Sequence, residues 1–128
     1  MTKRGLMPKT ILVADDSPMV RKMLCKMFEA EQDSDLCAEA HNGKEAIALA
    51  KQCKPDLIIL DLGMPEMTGV DAARELKRIM PDVPIILITM HGYTAKNLFE
   101  GTDSPFNLIV KKTNGVNIVH HVRSLIPV

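Results

Sequence analysis

Leu57-Ile58-Ile59-Leu60-Asp61-Leu62-Gly63-Met64-Pro65 is the stretch that decides the fold. Four aliphatic residues in succession, then a carboxylate, a glycine and a proline, fit a short strand covered on both faces with a loop at its carboxyl end. Similar runs recur elsewhere. Ile11-Leu12-Val13-Ala14 leads into Asp15-Asp16, Ile85-Ile86-Leu87-Ile88 into Thr89, and Leu108-Ile109-Val110 into Lys111, while Leu36-Cys37-Ala38 is a shorter apolar run.

Segments of helical period separate these runs. Val20, Met23, Leu24, Met27 and Phe28 fall on one helical face behind Ser17-Pro18, a cap followed by a first-turn proline. Asn42-Gly43 opens a second helix with Ala46, Ile47 and Ala50 inward, and Lys54-Pro55 ends it. Gly69 opens a third with Ala72, Ala73, Leu76 and Ile79 on one face, stopped by Pro81. Between Tyr93 and Asn107, the breakers Gly101, Asp103-Ser104 and Pro105 confine a fourth helix to a short piece around residues 95–99. Asn114-Gly115 precedes a last helix with Ile118, Val119, Val122 and Leu125 on one stripe. Five βα units with right-handed crossovers predict an α/β fold. The expected architecture is a doubly wound five-stranded parallel sheet in the order 2-1-3-4-5, with helices on both faces.

The 128 residues suit one domain, and 46% of them are apolar, enough for a core. Residues 1–9 read as a flexible lead-in and residues 10–128 as the domain. Sixteen basic residues balance sixteen acidic ones, so no overall field draws the chain to nucleic acid or to an anionic membrane. No apolar stretch approaches a membrane span, and Lys3-Arg4 lacks the apolar block of a secretory signal behind it. Cys25, Cys37 and Cys53 form no CxxC pair and have no metal-ligand spacing; they are expected to be free thiols in a reducing cytoplasm.

Chemistry collects where such sheets bind ligands, outside the carboxyl ends of the strands. Asp15 and Asp16 follow the first strand, Asp61 the third, Thr89 closes the fourth and Lys111 the fifth. The first and third strands are neighbours in the predicted order, so three carboxylates from distant positions meet in one cleft. Like charges so close favour a bound cation. An all-oxygen donor set suits Mg²⁺, with Mn²⁺ as the second choice, rather than zinc. A carboxylate nucleophile, a metal, a lysine and a hydroxyl are the parts of a phosphoryl-transfer site.

These residues resemble the receiver domains of bacterial two-component response regulators, of the chemotaxis-regulator type with a flavodoxin-like fold, over about Thr10 to Ile126. The motifs are Asp15-Asp16, Asp61-Leu62-Gly63-Met64-Pro65 with Gly69 following, Thr89 and Lys111. The resemblance implies that Asp61 is the phosphoacceptor and takes a phosphoryl group from a sensor histidine kinase or a histidine phosphotransfer protein. It further implies that Asp16, Asp61 and the backbone carbonyl of Gly63 hold Mg²⁺, with Asp15 acting through a metal-bound water. Lys111 would pair with a phosphoryl oxygen, and Thr89 would move toward another. Met90, His91 and Gly63 would tune access of water to the acyl phosphate. Val20, Lys22, Met23 and Lys26 on the first helix are the implied kinase contacts. The implied location is the cytoplasm, the output is contact with another protein, and a phosphorylation-dependent dimer is allowed.

Two positions depart from the family pattern. Leu108 stands where a tyrosine or phenylalanine couples the switch; Phe106, two residues earlier on the same side of an ideal strand, would substitute for it only if the strand entrance is distorted; and Lys112 replaces a proline that usually follows the lysine. Two other functions remain open at this point. A phosphorylation-independent binding module would keep the fold without accepting phosphate, and a Mg²⁺-dependent aspartyl phosphatase would expect Asp-x-Asp where Asp61 is followed by Leu62-Gly63. His120-His121, adjacent on a helix, point to different faces and read as solvated. The chain ends at Val128, just past the last predicted helix, which fits either a stand-alone regulator or a piece of a longer one.

Overall fold

The computed structural model of the chain describes residues 9–31, 36–89 and 105–111. Its elements are β1 (Thr10–Ala14), α1 (Pro18–Glu31), β2 (Leu36–Ala40), α2 (Gly43–Cys53), β3 (Leu57–Asp61), α3 (Gly69–Ile79), β4 (Ile85–Thr89) and β5 (Leu108–Lys111). The expected helices around residues 95–99 and after Asn114-Gly115 lie outside the described residues, as do residues 1–8, Met90, His91 and Lys112.

All strand pairs are parallel, and the sheet order is β2-β1-β3-β4-β5, as the sequence predicts. The alternation of side chains along the strands divides the core into two layers. Ile11, Val13, Leu57, Ile59, Ile86, Ile88 and Val110 pack with Leu24, Cys25 and Phe28 of α1. Leu12, Leu60 and Leu87 pack on the other face with Ala46 and Ala50 of α2 and Ala72, Ala73 and Leu76 of α3. Four alanines on that side keep the facing helix surfaces shallow, which lets α2 and α3 lie close to the sheet.

Local chemistry sets the element ends. Asn42 caps α2 by accepting from the Glu45 N–H, and Glu45 reaches back to the His41 N–H at 2.7 Å, a reciprocal arrangement at the entry. Lys54, with φ of 49°, closes the helix by donating its N–H to the Ala50 carbonyl. Thr68 caps α3 through the Asp71 N–H. The charged outer surface of α3 pairs within itself, because Arg78 forks onto Glu75 at 2.6 and 3.1 Å and holds its carboxyl below the usual range.

Three expectations need correction. β2 runs to Ala40 rather than Ala38, because the charge of Glu39 is matched by Arg21 of α1 at 3.0 Å. Cys25 and Cys37 are not free thiols but a disulfide joining α1 to β2, with a Cα–Cα distance of 5.5 Å. They are twelve residues apart, and only the packing of α1 on the sheet brings them together. Cys53 is the free cysteine, and burial raises its thiol pKa, which favours the thiol over the thiolate. Finally, Phe106 departs from ideal strand alternation, because it precedes β5, and the strand entrance is distorted in the way its substitution for the missing aromatic requires. Its ring is buried in the α2/α3 layer, whereas Val110 belongs to the α1 layer.

The α3 entry constrains the site directly. A Cβ on Gly69 would lie 2.4 Å from the Asp61 carbonyl oxygen and 2.9 Å from the Leu62 Cα, both backbone atoms that cannot rotate away. Gly69→Ala is therefore expected to destabilise by about 1–3 kcal/mol in urea unfolding, whereas helix propensity alone predicts a gain of roughly 1 kcal/mol; a gain would contradict the close approach. For the disulfide, closing a loop of this length contributes about 3 kcal/mol. Reduction should lower the unfolding free energy by about that amount. Alkylation of the denatured, unreduced protein should then modify Cys53 alone, and modification of all three cysteines would contradict the bond.

Candidate functional site

The carboxyl edge of the sheet is built by register. Ala14 pairs with Leu60, so the residues that follow, Asp15 and Asp61, emerge side by side from neighbouring strands. Asp61 is the last residue of β3 rather than the first of the loop, and its Cα partner is Ile88. Carboxylate oxygens of Asp15, Asp16 and Asp61 lie within 4.8 Å of one another. Asp15 and Asp61 are buried and Asp16 is exposed, which leaves one side of the group open to solvent.

Each buried acid is fixed by its surroundings. Asp15 donates its N–H to the Ala40 carbonyl at 3.0 Å, and its Oδ1 accepts from the Ser17 N–H at 2.8 Å. Arg21 Nη1 donates to the Asp15 carbonyl at 2.7 Å. Asp61 Oδ1 accepts from the Gly63 N–H at 3.2 Å, and the Leu62 and Gly69 N–H groups tie the loop to Ile88 and Leu62 carbonyls. Gly63 is exposed, and a Cβ there would meet nothing within 4 Å, so its lack of a side chain leaves open space two residues from Asp61. Met64 is buried in the α2/α3 layer, which makes Met64-Pro65 loop architecture rather than chemistry.

Thr89 is buried at the end of β4 and is the register partner of Lys111 at the end of β5. β4 neighbours β3 and β5 lies beyond β4, so the backbone ends both strands at the edge that carries Asp61. The side chains of Lys111 and Leu108 lie outside the described residues. Arg21 and Glu39 are the residues that sequence reasoning missed; the signal for Arg21 is a cation five positions after Asp16, one turn into α1 and directly before Lys22.

The donor set is three carboxylates with no nitrogen or sulfur among them, which fits a hard divalent cation such as Mg²⁺. Among the described residues, no helix is long and apolar enough to cross a membrane.

The model of the response regulator receiver domain family matches residues 11–123. The chain is 38% identical over 89 residues to the chemotaxis protein CheY of Thermotoga maritima, covering 70% of this chain and 73% of that one. It is 33% identical over 120 residues to the response regulator VraR of Staphylococcus saprophyticus, covering 91% of this chain but only 56% of that protein. The chain thus spans about half the length of such curated relatives. Among solved structures, the response regulator TrrA of Thermotoga maritima, in complex with Mg²⁺ and beryllium fluoride, superposes with a TM-score of 0.79 at 30% identity, covering 92% of this chain and 99% of that one. With sheet order, acidic edge and family match in agreement, the chain belongs to the response regulator receiver domains, the phosphoacceptor signalling domains of two-component systems.

Proposed function

We propose that Asp61 is the phosphoacceptor and takes its phosphoryl group from a phosphohistidine on a sensor histidine kinase or a histidine phosphotransfer protein. The observation that carries this reading is the grouping of the Asp15, Asp16 and Asp61 oxygens within 4.8 Å at the carboxyl edge. An Asp61 carboxylate oxygen attacks phosphorus, the P–N bond to the donor imidazole breaks, and the imidazole nitrogen keeps the electron pair. The Gly63 N–H orients the attacking carboxylate through Oδ1. Asp16, Asp61 and the Gly63 carbonyl would hold Mg²⁺, or Mn²⁺, with Asp15 reaching it through water. The cation, when bound, offsets the negative charge of the carboxylates and of the transferred group.

Lys111 would pair with one phosphoryl oxygen and the Thr89 hydroxyl would donate to another, consistent with their facing positions in the β4–β5 register. Phe106 is buried in the α2/α3 layer with Ile85 and Leu87, whose side of β4 Thr89 shares by alternation, which supports its ring, in place of an aromatic at Leu108, as the group that couples Thr89 to an output surface. Met90, His91 and the open space at Gly63 would set how fast water reaches the acyl phosphate. The domain, residues 10–128 behind a lead-in of residues 1–9, performs only its own phosphorylation and dephosphorylation, with no separate substrate. On α1, Met19 is 81% exposed and Met23 40%, which supports this helix as the kinase-docking face. Output is through contact with another protein, with no direct contribution to DNA binding and a phosphorylation-dependent dimer as one form of it. Kinship favours the cytoplasm, and the Cys25–Cys37 bond is the observation that weighs against a permanently reducing compartment.

Incubation with acetyl phosphate and Mg²⁺ should give a labile phosphoryl adduct in intact-protein mass spectra, lost in Asp61→Ala and in EDTA. An unmodified, folded wild-type protein under all these conditions would instead assign the chain to phosphorylation-independent binding.

A further inference from the structure

Arg21 takes no part in the chemistry above, yet its side chain is only 15% exposed and forked between two elements. Nη1 donates to the Asp15 carbonyl at 2.7 Å, and Nε donates to Glu39 Oε1 on β2 at 3.0 Å. We infer that Arg21 is a positioning residue for the metal centre, clamping the Asp15–Asp16 peptide to β2 so that Asp16 stands in register with Asp61. The inference rests on the reading of the acidic group as a Mg²⁺ site.

Peptide planarity makes the clamp effective. The carbonyl held by Arg21 belongs to the plane that contains the Asp15 and Asp16 Cα atoms, and that plane does not twist cheaply. The Asp15 N–H is already fixed to the Ala40 carbonyl at 3.0 Å, so the Arg21 bond pins the far side of the same residue. Asp16 is exposed, and its placement depends on this backbone more than on packing. Glu39 completes the device by holding the guanidinium through Oε1, while its Oε2 lies 3.7 Å from Lys22 Nζ, so its charge offsets the two cations only in part. Lysine cannot reproduce it, because a single ammonium lacks the planar fork that spans both acceptors.

Charge and position predict opposite signs. If Arg21 acted only as a nearby cation, its removal would tighten Mg²⁺ binding; if it positions the loop, removal weakens it. Calorimetric titration of the full chain with MgCl₂ separates the two, with circular dichroism and thermal melts run on every variant. Arg21→Gln should raise the Mg²⁺ Kd on the order of tenfold, the usual scale for losing a support behind a metal ligand. Arg21→Lys, which keeps the charge and loses the fork, should also bind more weakly than wild type. An unchanged or lower Kd in folded Arg21→Gln, even with a reduced melting temperature, overturns the inference and leaves Arg21 as a structural residue. Should Arg21→Gln fail to fold, a wild-type Kd in Arg21→Lys overturns it equally. Wild-type protein that binds no Mg²⁺ overturns the site reading itself and this inference with it.

Discussion

Three carboxylates held within 4.8 Å of one another are the constraint around which this molecule is arranged. A pair of unit charges about 4 Å apart repel by about 1 kcal/mol in water and about 4 kcal/mol at an effective dielectric constant of 20. Two of the three are buried, so the cost lies toward the larger figure without a cation. Side chains free to move would relax that repulsion by separating. Here the acids are fixed by backbone: β1 and β3 are hydrogen-bonded neighbours, and each ends at its acid or one residue before it. The site is therefore built to gain from a divalent cation, and from the negative phosphoryl group that a cation makes tolerable.

That rigidity depends on the core beneath it. The central strands β1, β3 and β4 are buried on both faces, with α1 over one layer and α2 and α3 over the other. Gly69 lets α3 start against the backbone of Asp61, so the helix entry and the acid form one unit. On the other side, α1 is joined to β2 twice, covalently through Cys25–Cys37 and by the Arg21–Glu39 ion pair. The loop carrying Asp15 and Asp16 is thus bounded by a sheet edge and an anchored helix, while the open side at Asp16 and Gly63 faces solvent.

Much of this was legible in the sequence because the chemistry is confined to strand ends. Runs such as Leu57–Leu60 have no polar face and allow little besides a buried parallel strand, and the polar residue behind a run, Asp15, Asp61, Thr89 or Lys111, marks the carboxyl edge. What was not legible depends on contacts between elements. Glu39 reads as the end of a strand until Arg21 is seen to match its charge, and Cys25 and Cys37 have no informative spacing because packing, not sequence, makes them neighbours. Phe106 shares the parity of Val110, but it precedes β5, where the alternation of strand faces does not apply, and it turns into the other layer.

The central claim is that Asp61, with Mg²⁺, receives a phosphoryl group at this acidic edge. Its most direct test is fluorine NMR with beryllium fluoride as a phosphoryl mimic, which reports the site without any kinase. The account predicts a bound fluoride signal in wild type that requires Mg²⁺ and is absent in Asp61→Asn. A bound signal that persists in Asp61→Asn, or wild-type protein that binds Mg²⁺ but never the mimic, would contradict it.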